Sequence, residues 1–290
     1  MPTKLLRETI ANHPAANATV TQLDLSSLDA THEFAEHVGQ RIESRELPPL
    51  AAIVCNAYYW NLVGDPEPSQ DGFDKTFQVT YLSHAALVLR LLGSFSEDGG
   101  RVVLLSSDCH WPGKNPMETY PPSIPDDLEL LVKPTVDEDK LGRGYQRYAI
   151  AKLAVTTWMH TLNRHLEKDP KLCNITAVAI NPGGLVDSRS FSFNTPSSFQ
   201  YKQTFFYKPM LPLLRILAGP TIRKAAPAGI DVAELALSPK FANERGFFTM
   251  LEKDESSPDS RDKGIQDRLW ARTIAWGRMT ADNTALKSAL

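Results

Sequence analysis

RVVLLSS, residues 101–107, is the stretch whose reading decides the fold. A short apolar run with two valines, bounded by charge and hydroxyl, reads as a strand buried on both faces of a parallel sheet. Open α/β sheets place their ligand crevice at the carboxyl ends of such strands, where this run ends in two serines. AAIVC at 51–55 and NITAVAIN at 174–181 are runs of the same kind, and Pro182-Gly183-Gly184 breaks the second. Residues 71–95 and 145–166 carry helical spacing between them. Further out, 18–23 (ATVTQL) alternates like a strand. Residues 26–44 read as a helix capped by Ser26 or Ser27, with Leu28, Phe34, Val38 and Ile42 on one face. Residues 230–238 form a helix, 245–250 a last strand, 254–263 a polar loop and 266–278 a closing helix. Residues 108–144 and 189–219 are irregular. This alternation predicts an α/β fold with a doubly wound parallel sheet, in one domain over 1–290.

The composition excludes several classes. The 290 residues are 42% hydrophobic and 22% charged, with a net charge of −3. A nucleic-acid binder would carry a basic excess. No run approaches the ~18 apolar residues of a membrane span, and the first twenty residues lack the apolar core of a secretion signal. Cys55, Cys109 and Cys173 lie far apart, without metal-ligand spacing, which points to a reducing, cytoplasmic setting and no metal. MLPLLRILAG at 210–219 is too short to span a bilayer and carries one charge, so a membrane-surface role is disfavoured.

Tyr148-Ala-Ile-Ala-Lys152 places a phenol and an ammonium on one helix face. A nearby cation favours the phenolate, so the phenol is expected below its ordinary value near 10, able to exchange a proton with an alcohol or carbonyl. With eight tyrosines in the chain, such a pair arises readily by chance. Its order is the specific feature: a strand ending at Ser107, then the Tyr148–Lys152 helix, then a strand ending at Pro182-Gly183.

In that order the chain resembles the short-chain dehydrogenase/reductase family, and its retinol-dehydrogenase-like and protochlorophyllide-reductase-like branch, from about Leu23 to the C-terminus. Asp24-Leu25 is similar to the family's adenine-contacting motif, and Cys55-Asn56-Ala57-Tyr58 to its Asn-Asn-Ala-Gly motif. Residues 71–84 match its long helix. The resemblance implies that Ser107 binds the substrate oxygen, Tyr148 is the general acid/base, and Lys152 tunes it and holds the nicotinamide ribose. Pro182 and Gly183 would flank the nicotinamide. Leu185 fits the next cofactor position best, with Asp187 or Ser188 after it. The cofactor implied is NADP, with NAD an open alternative.

Three departures stand out. Thr80 replaces the family's helix asparagine, Tyr58 replaces a motif glycine, and no Gly-x-x-x-Gly-x-Gly occurs in the chain. The fold expected is therefore a Rossmann-like sheet incomplete at the N-terminus, with the family's strands 1 and 2 missing. That would leave a gap of about 14 Å between the strands at 18–23 and 51–55, no phosphate-binding helix N-terminus, and weak cofactor binding. The expected activity is hydride transfer between NAD(P)(H) and a hydroxyl or carbonyl of a small hydrophobic substrate, in secondary metabolism. Residues 189–219 would either cover that substrate or pack on the sheet. The alternative is an impaired, truncated family member that acts, if at all, by binding a partner.

Overall fold

A computed structural model describes residues 4–290. In chain order its elements are α1 (Lys4–Asn12), α2 (Leu28–Glu43), β1 (Ala52–Cys55), and α3 (Lys75–Phe77), which runs through a π turn (Gln78–Leu82) into α4 (Ser83–Leu91). Then come β2 (Gly100–Leu105), α5 (Glu129–Val132), α6 (Lys140–Leu166), β3 (Ile175–Asn181), β4 (Gly184–Leu185), α7 (Ser197–Lys202) and α8 (Leu211–Ala218). The chain closes with β5 (Ile222–Arg223), α9 (Ala225–Leu237), β6 (Gly246–Thr249), β7 (Glu252–Asp254), α10 (Pro258–Arg261) and α11 (Lys263–Trp276).

The main sheet runs β1-β2-β3-β6-β7, parallel except for the antiparallel β7. Successive side chains leave a strand on opposite faces, and here both faces are covered. Val102, Leu104, Ala177, Ala179 and Phe247 join one core with Leu82, Leu89, Leu153, Trp158, Leu162 and Leu269 of the helices. Val103, Leu105, Val178, Ile180 and Phe248 pack instead against Leu235 and Ala236 of α9 and against Phe241. That double burial is why β2 and β3 read as continuous apolar runs.

The strand expected at 18–23 is absent: those residues have no regular structure and are largely exposed, Val20 at 47%. Alternation alone supplies no ladder partner, and an unpaired strand does not hold in water. The expected gap between two strands therefore does not arise; the sheet ends at β1, whose Val54 is 43% exposed. Capping side chains set the helix starts. Ser27 caps α2, accepting from Ala30 N. Asp74 caps α3, so that helix begins after Asp71, which instead accepts from Leu28 N at 2.8 Å and pairs with Arg278. Asp139 starts α6 ahead of the expected 145. The expected irregular segment 189–219 contains α7 and α8.

Asp74 is 4% exposed; its Oδ1 accepts from Phe77 N at 3.0 Å, and Oδ2 lies 4.0 Å from Arg147 Nε. Burial pushes its carboxyl up to about 6, against the lowering by the Phe77 amide and Arg147. A folded value above the unfolded one near 4 gives stability that is present at low pH and lost as pH rises through about 6. In denaturant unfolding between about pH 4 and 7, the wild type should lose stability on raising the pH and Asp74→Asn, which keeps a capping oxygen, should lose less. Parallel profiles for the two proteins would contradict this.

Candidate active site

Lys152 and Tyr148 lie one turn apart on α6, above the carboxyl end of β2. Lys152 is 3% exposed, and its Nζ donates to the Leu105 carbonyl at 2.5 Å. Burial lowers the ammonium to about 8, ahead of the smaller raising by the Cys109 and Cys55 thiols. The same seclusion, with Lys152 nearby, pushes His84 down to about 4. The expected lowering of the Tyr148 phenol does not occur: burial raises it well above 10, and Cys109, Tyr58 and Asp108 raise it further. The geometry explains this. Lys152 Nζ lies 5.6 Å from the centre of the Tyr148 ring and spends its hydrogen bond on Leu105. Tyr148 is a neutral phenol here.

The two serines after β2 separate by role. Ser106 is buried, with its Oγ 2.8 Å from Thr156 Oγ1 of α6. Ser107 is half-buried; its Oγ donates to Asp108 Oδ1 at 2.9 Å and accepts from Cys109 N at 3.3 Å. Cys109, on that turn, packs with Trp60, Tyr145 and Ala149, the cluster against which Tyr148 also lies, so the structure brings the Ser107 turn and Tyr148 to one place. His110 fixes the turn from below. Its Nδ1 is 2.6 Å from the Ser107 carbonyl, and its Nε2 accepts from Ser257 N at 3.1 Å, which makes Nδ1 the protonated nitrogen.

The aromatic run after β1 supplies a wall that the sequence reading missed. Trp60 meets Tyr148 edge-on with ring centres 5.2 Å apart, and Phe191 stacks on Trp60 at 5.9 Å. Asn194 ties the 189–219 segment down: Leu62 N donates to its carbonyl at 2.8 Å, and its Nδ2 donates to Tyr59 Oη at 2.9 Å and the Trp60 carbonyl at 3.3 Å. The start of that segment therefore borders Tyr148, while Phe193, Phe205 and Phe206 beyond it are exposed and do not pack the sheet. Thr80, in the π turn, both donates to and accepts from the Tyr59 backbone, holding this wall from behind.

The expected cofactor residues divide. Asn56 is exposed just past β1. Gly183 has φ +88°, and a Cβ there would stand 2.3 Å from the Thr221 carbonyl, so glycine is required. Its neighbour Pro182 accepts from Arg223 Nε at 2.8 Å, and Leu185 is held in the β4–β5 ladder. Asp24 is exposed but internally engaged, accepting from Ser26 N and Oγ and from Gln70 Nε2; the Ser26 hydrogen bonds lower its carboxyl. The buried cationic Nζ of Lys152 and the exposed Asn56 fit the nicotinamide-ribose end of a dinucleotide, whereas the glycine at 183 is required by the close approach of Thr221. Tyr58, 5.7 Å from Lys152 Nζ and 5.5 Å from Tyr148, narrows that approach. Among the described residues no glycine turn or helix N-terminus cradles the pyrophosphate.

Residues 189–286 match the family model described as the AcuH dehydrogenase domain. The dehydrogenase acuH of Aspergillus aculeatus is 46% identical over 93 residues, 32% of this chain and 94% of that protein. The short-chain dehydrogenase iccH of Talaromyces variabilis is 28% identical over 306 aligned residues, 92% of this chain and 81% of its own. The chain belongs to the short-chain dehydrogenase/reductase family. In fold it is similar to the angucycline C-6 ketoreductase LanV solved with bound NADP: TM-score 0.50, 20% identity, covering 85% of this chain and 78% of that one. The chain is thus an oxidoreductase of this family's α/β type.

The His110 bridge has a measurable consequence. His110→Phe keeps the ring but leaves the buried Ser257 N–H and one bond to the Ser107 carbonyl unmade, at about 1–3 kcal/mol for each buried group left unpaired. Denaturant unfolding should show a loss of that order. A variant as stable as the wild type would mean that the bridge contributes nothing.

Proposed function

We propose that this protein reduces a carbonyl on a small hydrophobic molecule to a hydroxyl with NADPH, in the cytoplasm and in secondary metabolism. The observation that carries the reading is the meeting of the Ser107 turn, Tyr148 and the buried Lys152 at the end of β2; burial favours the neutral phenol of Tyr148, the form that can give a proton to a carbonyl oxygen. The fungal dehydrogenases iccH and acuH support the setting, and the LanV complex favours NADP over NAD. The three free thiols suit a reducing compartment.

Asn56, Lys152, Pro182, Gly183 and Leu185 would hold the nicotinamide end of the cofactor and Asp24 its adenine end, and the bound cofactor would supply the hydride. Tyr148 Oη supplies the proton to the substrate oxygen. Lys152, fixed by the Leu105 carbonyl, places a positive charge in a dry site near the phenolate left behind, where charge is screened least. Ser107 turns its Oγ from Asp108 to the substrate oxygen and orients it. Trp60 and Phe191 cover the reacting centre on the apolar side and keep water out.

Tyr148→Phe removes the proton donor and leaves the aromatic packing in place. Following NADPH absorbance against a panel of hydrophobic ketones, the variant should turn over about 10²–10⁴-fold more slowly than the wild type. Equal rates would end the catalytic assignment. Wild-type reduction should also fall above about pH 8, as Lys152 loses its proton and with it the charge that stabilises the phenolate. A reductive rate unchanged through that range would remove Lys152 from the mechanism.

A further inference from the structure

Residues 197–218 form an arm that stands off the sheet. α7, the π turn Gln203–Tyr207 and α8 follow one another, joined across residues 208–210 by hydrogen bonds from Lys208 N to the Gln203 carbonyl, Met210 N to the Phe206 carbonyl and Leu214 N to the Met210 carbonyl. The arm is held down by few groups. Gln203, 6% exposed, donates to the Ser188 carbonyl at 2.7 Å, and the 184–186 backbone is laddered to 221–223 just beyond α8.

Large apolar side chains on it are exposed. Tyr201 is 66% exposed, Phe205 65%, Phe206 49%, Leu213 44%, Ile216 80% and Leu217 73%. Tyr201 and Phe205 sit ring to ring at 4.6 Å. Scattered exposed apolar residues need no explanation, but a run of six on one short arm marks a surface that is covered in use. The charge of the arm says by what. Between Asp187 and Asp231 the chain has no acidic side chain and six basic ones: Arg189, Lys202, Lys208, Arg215, Arg223 and Lys224. Arg223 is paired with Asp231. The other five are exposed, in a chain whose net charge is −3.

We propose that this arm docks on an anionic lipid surface, with Phe205, Phe206, Leu213, Ile216 and Leu217 entering the headgroup–acyl boundary and Lys202, Lys208 and Arg215 meeting lipid phosphates. Aromatic and aliphatic side chains interleaved with exposed cations are the chemistry of interfacial helices, and lysine stems extend along apolar surface while keeping the ammonium in the headgroup layer. A second copy of the chain docked arm to arm is the poorer occupant, because it would set the three cations of one arm against the three of the other. Read by its sequence at 210–219, this segment shows one charge. In the folded arm α7, the π turn and Lys208 precede that segment and add Tyr201, Lys202, Phe205, Phe206 and Lys208 to the exposed surface, and that changes its character. The arm follows Phe191 and Asn194 of the wall beside Tyr148 within a few residues of chain.

The test is co-sedimentation of the full chain with phosphatidylcholine vesicles, with and without phosphatidylserine, at low and at raised salt. The wild type should bind the anionic vesicles at least tenfold more tightly than the neutral ones and be released by salt. Ile216→Ser with Leu217→Ser, and separately Lys202→Glu with Lys208→Glu, should each abolish binding without lowering the melting temperature, because all four side chains are exposed. No vesicle binding, or equal binding to both lipids, overturns the proposal. So does self-association in analytical ultracentrifugation that the Ile216/Leu217 variant abolishes, since that assigns the face to a second copy. None of these readouts depends on turnover, so a failure of the reductase reading leaves this test intact.

Discussion

The Lys152 ammonium under the Leu105 carbonyl is the contact on which the site depends. A charge at 3% exposure is costly unless hydrogen-bonded, and here the acceptor is the last residue of β2. That bond fixes α6 against the end of the strand, sets Tyr148 one turn away, and brings Ser107, two residues past Leu105, to the same opening. It also diverts the ammonium from the phenol, so burial governs Tyr148 and holds it protonated. Phenol, ammonium and strand end are arranged by one interaction that needs the sheet and the helix together.

Much of the fold was legible because burial on both faces leaves a plain mark on sequence. Residues 101–107 and 174–181 are apolar along their length, and β2 and β3 are covered on both sides. Where the mark is weaker the reading failed. The alternation at 18–23 needs a partner strand to become β structure, and a two-residue period carries no information about whether one is present. The helix boundaries moved for a local reason: Asp74 and Asp139 cap the helices that follow them, whereas Asp71 accepts from Leu28 N instead.

The site was legible in its order and not in its chemistry. Ser107, Tyr148 and the Pro182-Gly183 break could be placed on elements from the sequence. The direction of the tyrosine's titration could not, because it turns on where the Lys152 Nζ points. Trp60, Phe191 and Asn194 escaped for a related reason: they meet across more than a hundred residues of chain, and nothing local links an aromatic after β1 to a loop after β3. His110 was the nearest miss, three residues from Ser107, yet its bond to Ser257 joins positions 147 apart. The basic, apolar arm at 197–218 lies in the region shared with the AcuH dehydrogenase domain, and only folding shows that its apolar side chains face outward.

The most direct measurement of the central claim is an NMR titration of protein labelled with ¹³C-lysine, with Lys152→Gln used to assign the resonance. The account predicts one lysine that titrates near pH 8, absent from the variant and set apart from the rest. A Lys152 resonance titrating with the others near the ordinary lysine value of about 10.4 would contradict a buried ammonium held at the end of β2.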